Sequence, residues 1–350
     1  MIRFEPRAGA TPALRIAAPL ASVAAALALA AVPLAAAGAP ILKAFWLMGE
    51  GAAGSLFALT ETLTRATPLI LTGLAAAVAF RARLYNIGAE GQLYAGALAA
   101  VAVAAGAVEA PPAVLVPLIL LMAAAAGALL MLGPALLKVR LGIDEVVTTL
   151  LLNFVVLLFV QMMLEGPLKD PMGGGWPQSE PIAEAGMLPP LVQRMRLHAG
   201  FLIALAASFS AQVVLSRTVL GLKIKAVGEN PDAARFAGID VTGVTVAVAL
   251  LSGGLAGLAG ASEVAGLKGY LTSDLSRGFG YAGIVVAMLA GLQPLACVPA
   301  AVFIAAVFVG ADTMSRTLGV SNYIADLIVA LALLCAIVSG LFVRFRVRWS

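Results

Sequence analysis

Long apolar runs, divided by short polar breaks, fill almost the whole chain. A helix needs about 20 residues to cross ~30 Å of hydrocarbon. Against that length the pattern predicts ten spans, at 15–38, 64–80, 88–107, 113–137, 144–164, 199–216, 240–262, 279–292, 295–314 and 321–343. The eighth is short and reads as a half-helix. The ~10-residue alternating segments of a transmembrane barrel are absent. The expectation is therefore an all-α, polytopic membrane bundle of about ten transmembrane helices over 15–343, within a single domain covering 1–350. Two breaks are long: 165–198, rich in Pro and Gly, and 217–239.

One break looks unlike an ordinary loop. In FRARLYNIGAEGQLYAG (80–96) two arginines, two tyrosines, Asn86, Glu90, Gln92 and three glycines stand between apolar runs. Arg81 and Arg83 read as anchors at a membrane surface. Asn86, Gly88, Glu90, Gly91 and Gln92 predict an irregular turn that re-enters the bilayer at once. Non-helical backbone at that depth is tolerated only inside protein or beside a watery cavity. Two readings stay open: a buried polar knot bracing the bundle, or part of a gate on the solute path.

A second polar feature lies inside a span. Glu145, Thr149 and Asn153 recur at i, i+4 and i+8, so they form one stripe on a helix. Such a stripe faces the bundle interior, as interhelical glue or as the wall of a translocation path. Asp326 has no cationic neighbour within its own helix and is a further candidate for the path.

Composition supports the membrane reading. The chain has 350 residues, 62% hydrophobic and only 11% charged, against roughly 25% charged in soluble domains. Ala, Gly and Leu dominate, which suits close helix packing in lipid. Cys297 and Cys335 lie in apolar runs without metal-ligand spacing, and His198 has no His or Cys partner nearby, so no metal site is expected. The first run is too long for a signal-peptide core and reads as an uncleaved helix.

Ten spans put both termini on one side. If that side is cytoplasmic, it holds 14 of the 22 basic residues, including Arg344, Arg346 and Arg348 at the close of the chain. Cytoplasmic loops gather Lys and Arg in this way, which predicts an N-in, C-in protein with 165–198 outside and 217–239 inside. No GxxxxGK[ST], HExxH or GxSxG is present, so no catalytic set is expected.

The inner loop contains VGENPDAARFAGID (227–240). Asn230 suits an N-cap, Pro231 the first helical position, Asp232 the positive helix end, and Gly238 a positive-φ stop. These signals predict a two-turn helix from Pro231 to Ala237. Helices this short are marginal in water and need a docking surface. That surface is either a cytoplasmic partner or the membrane itself.

GLKIKAVGENPDAARFAGID (221–240) resembles the coupling loop of ABC importer permeases in the simple-sugar and nucleoside branch. RATPLILTGLAAAVAFRARLYNIGAEGQLYAGALAA (65–100), LGIDEVVTTLLLNFVV (141–156) and GFGYAGIVVAMLAGLQPL (278–295) are similar to three further family stretches, in the family's order. Asp144 and Ser315 depart from it, where Asn and Gln are usual. RLYNIGAEGQ is closest to nucleoside-type permeases paired with basic-membrane-protein lipoproteins. The resemblance implies a multi-pass permease subunit of the bacterial plasma (inner) membrane that is not itself an enzyme. It implies a cytoplasmic ABC ATPase that holds ATP and Mg²⁺, a second permease subunit, identical or not, and an extracytoplasmic substrate-binding lipoprotein. No cofactor and no nucleic acid would be bound by this chain. Gly228, Glu229, Asn230, Pro231, Ala234, Arg235 and Gly238 would couple to the ATPase. The solute would be a nucleoside, or alternatively a simple sugar. An ion-coupled secondary transporter, with Glu145 and Asp326 as ion ligands, is the rival from another class.

Overall fold

The computed structural model describes residues 2–6, 12–105 and 110–349, with side chains over 21, 24–105, 110–335, 337 and 338. The side chains of Arg3, Arg7, Arg15, Arg344, Arg346 and Arg348 lie outside the described residues, as does the 106–107 end of the third expected span. The chain folds into thirteen α-helices and two short strands among the described residues. They divide into two compact units, Met1–Thr62 with Val302–Ser350, and Leu63–Ala301.

Each expected span has its helix. These are α1 (Pro12–Ala36), α3 (Leu56–Arg81), α4 (Ala89–Ala104), α5 (Pro112–Leu141), α6 (Glu145–Glu165), α7 (Gly200–Arg217), α10 (Val241–Glu263), α11 (Phe279–Leu289), α12 (Pro294–Leu318) and α13 (Asn322–Arg344). Among the described residues, six helices are long and apolar enough to cross a membrane: α3, α5, α6, α7, α12, and α10 with the π-turn Val264–Lys268. Four apolar stretches are shorter: Ala24–Ala36, Ala89–Ala104, Phe279–Leu289 and Asn322–Cys335.

Three helices lie outside the ten runs. Helix α2 (Ile41–Ala53) follows α1, and α3 begins eight residues before the apolar run that marked it. The 217–239 break holds two helices, α8 (Val219–Glu229) and α9 (Pro231–Phe236). Gly228 and Glu229 close α8, and the capped helix runs from Pro231 as expected but ends at Phe236, with Ala237 as its C-cap.

In the smaller unit α1 packs on α13. Ile2–Pro6 pairs antiparallel with Phe345–Trp349, so the two ends of the chain lie side by side. Ala30, Leu34, Ala44, Met314 and Ile328 form its core. Asp326 is exposed on α13.

The larger unit is built on α4, α5 and α10, and close approach between their backbones explains the small residues. A Cβ added at Gly257 would collide with the Ala123 carbonyl, one at Gly96 with the Gly257 backbone, and one at Gly127 with the Gly253 carbonyl. Packing of this kind drives helix association where lipid removes the hydrophobic term. In α3 the side chains of Ala66 and Thr67 and of 69–72 and 74–79 are buried without a break. By contrast, α6 exposes Val147, Leu151, Phe154, Val155 and Leu158.

At one end of this unit the 165–199 segment lies over the π-turn. Backbone bonds run from Ile182 N to Gly269 O (2.7 Å), Leu188 N to Ala265 O (2.7 Å) and Ala183 N to Ala104 O (2.8 Å). His198 is buried beneath it, its Nδ1 accepting from Gly200 N at 3.2 Å. Burial pushes its pKa down to about 4, so the ring is neutral at ordinary pH.

The α4–α5–α10 contact generates a direct test. Gly257→Ala is expected to destabilise detergent-solubilised protein by about 1–3 kcal/mol, because the obstructing atoms are backbone. Gly133→Ala, where a Cβ meets nothing within 4 Å, is expected to leave the unfolding midpoint unchanged.

Candidate functional site

The site grows from the end of α3. That helix stops at Arg81, and Arg83 takes a left-handed conformation (φ 51°). Leu84 N then donates to Ala79 O (3.1 Å), and residues 84–88 continue without helix. Their backbone groups have no helical ladder to join, and a buried unpaired one costs about 1–3 kcal/mol.

The stripe on α6 satisfies them. Asp144 caps that helix by accepting from Val146 N at 2.8 Å. The cap sets Glu145, Thr149 and Asn153 on one buried face. The Glu145 carboxylate accepts from Tyr85 N (2.9 Å), and Thr149 Oγ1 accepts from Ile87 N (3.2 Å). Asn153 Oδ1 accepts from Gly91 N (2.8 Å) while its Nδ2 donates to Ile87 O (3.0 Å). Eight residues of α6 rise about 12 Å, and beside them run the non-helical residues 85–88 and the first turn of α4, bonded at each turn.

The opposite side of this segment is closed by an amide pair. Asn86 Nδ2 donates to Gln92 Oε1 (2.8 Å) and to Ser252 Oγ (2.9 Å). Asn86 Oδ1 accepts from Gln92 Nε2 and from Gly88 N, both at 2.9 Å. Ser252 Oγ passes its proton to Ala75 O at 2.8 Å. Asn86, Gln92, Thr149 and Asn153 are all buried, and their donors and acceptors are matched.

Glu90 turns elsewhere. Its Oε2 accepts from Gly280 N at 2.7 Å, placing a carboxylate at the N-terminus of α11. Negative charge is favoured there by the helix dipole. Thr72 Oγ1 of α3 lies 2.9 Å from Phe279 O, and Tyr281 OH receives Asn153 Nδ2 at 3.1 Å. The first turn of α11 is thus held by α3, α4 and α6. Its far end is held by Arg81, whose Nε donates to Leu292 O at 2.9 Å.

Arg81 also joins this region to α8. Gly228 packs against the Arg81 carbonyl so closely that a Cβ would overlap it. Past Asn230, α9 is built as its capping signals require. Asn230 Oδ1 accepts from Asp232 N and Ala233 N, both at 3.0 Å, Pro231 opens the helix, and Gly238 has φ 81°. Ala234 is buried against the bundle, whereas Phe236 is 96% exposed. Arg235 pairs with Asp232 at 2.9 Å, in the open. Glu229 pairs with Lys225 at 3.9 Å, also in the open.

Of the residues singled out in the sequence, Asn86, Glu90, Gln92, Glu145, Thr149 and Asn153 come together around 85–91. Asp326 belongs to the other unit and has no partner among the described residues. Several contributors escaped sequence reading. Lys138 binds the Glu145 carboxylate and donates to Arg83 O at 2.9 Å. Ser252, Tyr281 and Thr72 sit inside apolar runs and were passed over as filler. Phe236, at the end of α9, carries no signal in the sequence, yet the fold leaves it fully exposed. No group of three or more metal-ligating side chains occurs among the described residues.

Asn153→Leu would strand Gly91 N–H and Ile87 C=O at once. It is expected to destabilise the protein by about 2 kcal/mol or more in thermal unfolding. Phe154→Leu, on the exposed face of the same helix, is expected to leave the unfolding transition in place.

The profile of the branched-chain amino acid transport system / permease component family matches residues 58–338. Sequence relatives point the same way. The chain is 38% identical to a glucose ABC transporter permease protein of Haloferax volcanii, over 87% of this chain and 82% of that one. It is 34% identical to a guanosine ABC transporter permease protein of Bacillus subtilis, over 85% of each. A nucleoside ABC transporter permease protein of Lactococcus lactis is 32% identical over 76% of this chain and 75% of its own. Among solved structures, PsaBC from Streptococcus pneumoniae in complex with Fab gives a TM-score of 0.37 at 10% identity, over 83% of this chain and 94% of that one, a likeness too slight to carry an argument. The matched profile covers both the polar segment at 85–91 and the capped helix α9. With these elements in place, the chain belongs to the branched-chain amino acid transport system / permease component family, as a membrane-embedded permease subunit of an ABC transporter.

Proposed function

We propose that this permease imports a nucleoside, and that simple sugars are the alternative cargo. Two of the relatives named above are guanosine and nucleoside permeases, and RLYNIGAEGQ (83–92) carries the nucleoside-type pattern. The glucose permease of Haloferax keeps the sugar reading in view. In this reading residues 1–350 form one permease domain with ten spans and both termini in the cytoplasm. The positive-inside count supports the orientation. The 165–198 segment then faces outward, toward a substrate-binding lipoprotein, and a second permease subunit completes the pathway.

The ATP-driven mechanism rests on one observation: α9 is a fully capped helix of six residues that presents an exposed Phe236 beside the Asp232–Arg235 pair. A helix that short gains little from propensity and is used where something docks on it. ATP and Mg²⁺ are held by a separate ATPase subunit, and this chain binds no cofactor of its own. Its strokes enter at α9, pass through α8 to Arg81 at the Gly228 contact, and reach Leu292 and α11. In this mechanism Asn86, Glu90, Gln92, Glu145, Thr149 and Asn153 form the inner gate or line the solute path beside it. Asp326, on α13 of the smaller unit, is also assigned to the path. Of the two carboxylates an ion-coupled mechanism would use, Glu145 is already bound by Lys138, which leaves Asp326 as its one free ligand.

Reconstitution with the ATPase, the binding protein and guanosine or D-glucose tests this. Ala234→Pro removes the bond from Ala234 N to Asn230 O (3.0 Å), costing about 3 kcal/mol or more in a helix interior. It is expected to abolish ATP-driven uptake. Phe236→Ser, at a site that packs on nothing in the chain, is expected to leave folding intact and weaken ATPase co-purification. Normal uptake and normal association in both variants would overturn the assignment of α9, and uptake driven by an ion gradient without ATP would overturn the importer reading.

A further inference from the structure

The residues between the π-turn and α11 make no helix, and they run inward. At the outset, Leu271 is tied to the 165–199 segment. Its N–H donates to Ser179 Oγ and its carbonyl accepts from Ser179 N, both at 2.9 Å. Two residues later, Ser273 O accepts from Tyr94 OH (2.7 Å), and Ser276 N donates to the same hydroxyl (3.1 Å). Tyr94 lies ten residues before Ala104, whose carbonyl accepts from Ala183 of the overlying segment. Ten helical residues are about 15 Å, so the segment descends well into the bundle before α11 begins against Glu90.

Its side chains divide into two sets. Leu271, Leu275 and Phe279 are buried at 0%, 2% and 3% exposure and anchor it. Ser273 and Asp274 point away from that anchor, the Asp274 side chain being 84% exposed. Non-helical backbone with an exposed carboxylate at this depth cannot face hydrocarbon. Such backbone is tolerated inside protein or beside a watery cavity, and an exposed carboxylate favours the cavity. Lys268 Nζ lies 3.4 Å from Asp274 Oδ1 and donates to Thr272 Oγ1 at 3.0 Å. The lysine offsets the charge of the carboxylate, most of which stays open to solvent.

We propose that Ser273 and Asp274 form a subsite in the translocation path that reads the adjacent hydroxyls of a ribose or hexose ring. This rests on the importer reading above. A carboxylate accepts from two neighbouring O–H groups at once, and a serine hydroxyl both donates and accepts. Because Asp274 is already paired, the site offers no surplus charge to a cation. It suits a neutral hydroxylated solute, for which bonds to a charged acceptor are the strong ones.

The test is ATP-driven uptake by the complete importer in proteoliposomes. The probe is guanosine against 2′,3′-dideoxyguanosine, or D-glucose against 2-deoxy-D-glucose should hexoses be the cargo. Asp274→Asn is expected to slow the hydroxylated probe about tenfold or more, and Ser273→Ala to slow it less. Neither should slow the deoxy analogue further. The same binding protein serves every arm, so its own preference cancels in the ratio of variant to wild type. Equal losses for both probes, or no loss, would overturn the subsite. Ser273→Cys gives a second readout that does not depend on uptake. An impermeant thiol reagent applied from outside is expected to label it, and guanosine with its binding protein to slow the labelling. No labelling, or a spontaneous disulfide between two permease copies, would place the segment in an interface and overturn the subsite. A wild-type complex that takes up neither probe with ATP would instead overturn the importer reading, and the subsite with it.

Discussion

The larger unit depends on one exchange of hydrogen bonds: the polar stripe of α6 stands in for the helix that residues 84–88 do not form. A chain that enters hydrocarbon without a ladder of its own leaves N–H and C=O groups that lipid cannot satisfy. Glu145, Thr149 and Asn153 supply three acceptors and a donor at successive turns, matching Tyr85, Ile87 and Gly91. The spacing is forced by geometry. Four helical residues rise about 6 Å, so the acceptors on α6 stand one turn apart. Tyr85 and Ile87 therefore meet Glu145 and Thr149 in register. Charge is managed in the same place, since Lys138, beyond the left-handed Gly142 that closes α5, neutralises Glu145.

That lace positions everything around it. With 85–91 held, α4 starts where Glu90 can cap α11, and Asn86 can pair with Gln92 and reach Ser252 on α10. Helix α11 is then a strut gripped at both ends, by Glu90, Thr72 and Asn153 at the first turn and by Arg81 beyond the last. Arg81 is also where α8 presses through Gly228. A displacement of α8 and α9 therefore has a contiguous route to α11, through packing at Gly228 and the Arg81–Leu292 hydrogen bond.

Much of this was legible before any coordinates. The ten apolar runs each located a helix, although among the described residues only six are long and apolar enough to cross a membrane, and α9 was readable residue by residue because capping is local chemistry. The 80–96 break announced an irregular segment through its density of polar and glycine residues. What escaped depends on distance along the chain. Asn86 and Ser252 are 166 residues apart, and Glu90 and Gly280 190 apart. No local pattern pairs them. Helix α2 was missed because Lys43 and Glu50 interrupt its apolar pattern. Helix α8 was missed because VLGLKIKAVGE reads as a basic loop until Thr218 is seen to cap it through Gly221 N at 3.3 Å. Serine and threonine in apolar runs are ambiguous for a plainer reason. A hydroxyl that bonds its own helix and one that bonds a neighbour look the same in sequence.

Amide hydrogen exchange of residues 84–91 in the membrane-embedded protein addresses the lace most directly. Non-helical residues exchange quickly unless their N–H groups are bonded. The Tyr85, Ile87 and Gly91 amides are expected to exchange as slowly as those in the middle of α6, and Asn153→Leu is expected to release Gly91 while α6 stays protected. Rapid exchange at all three positions in the unaltered protein, with α4 and α6 protected on either side, would contradict the account.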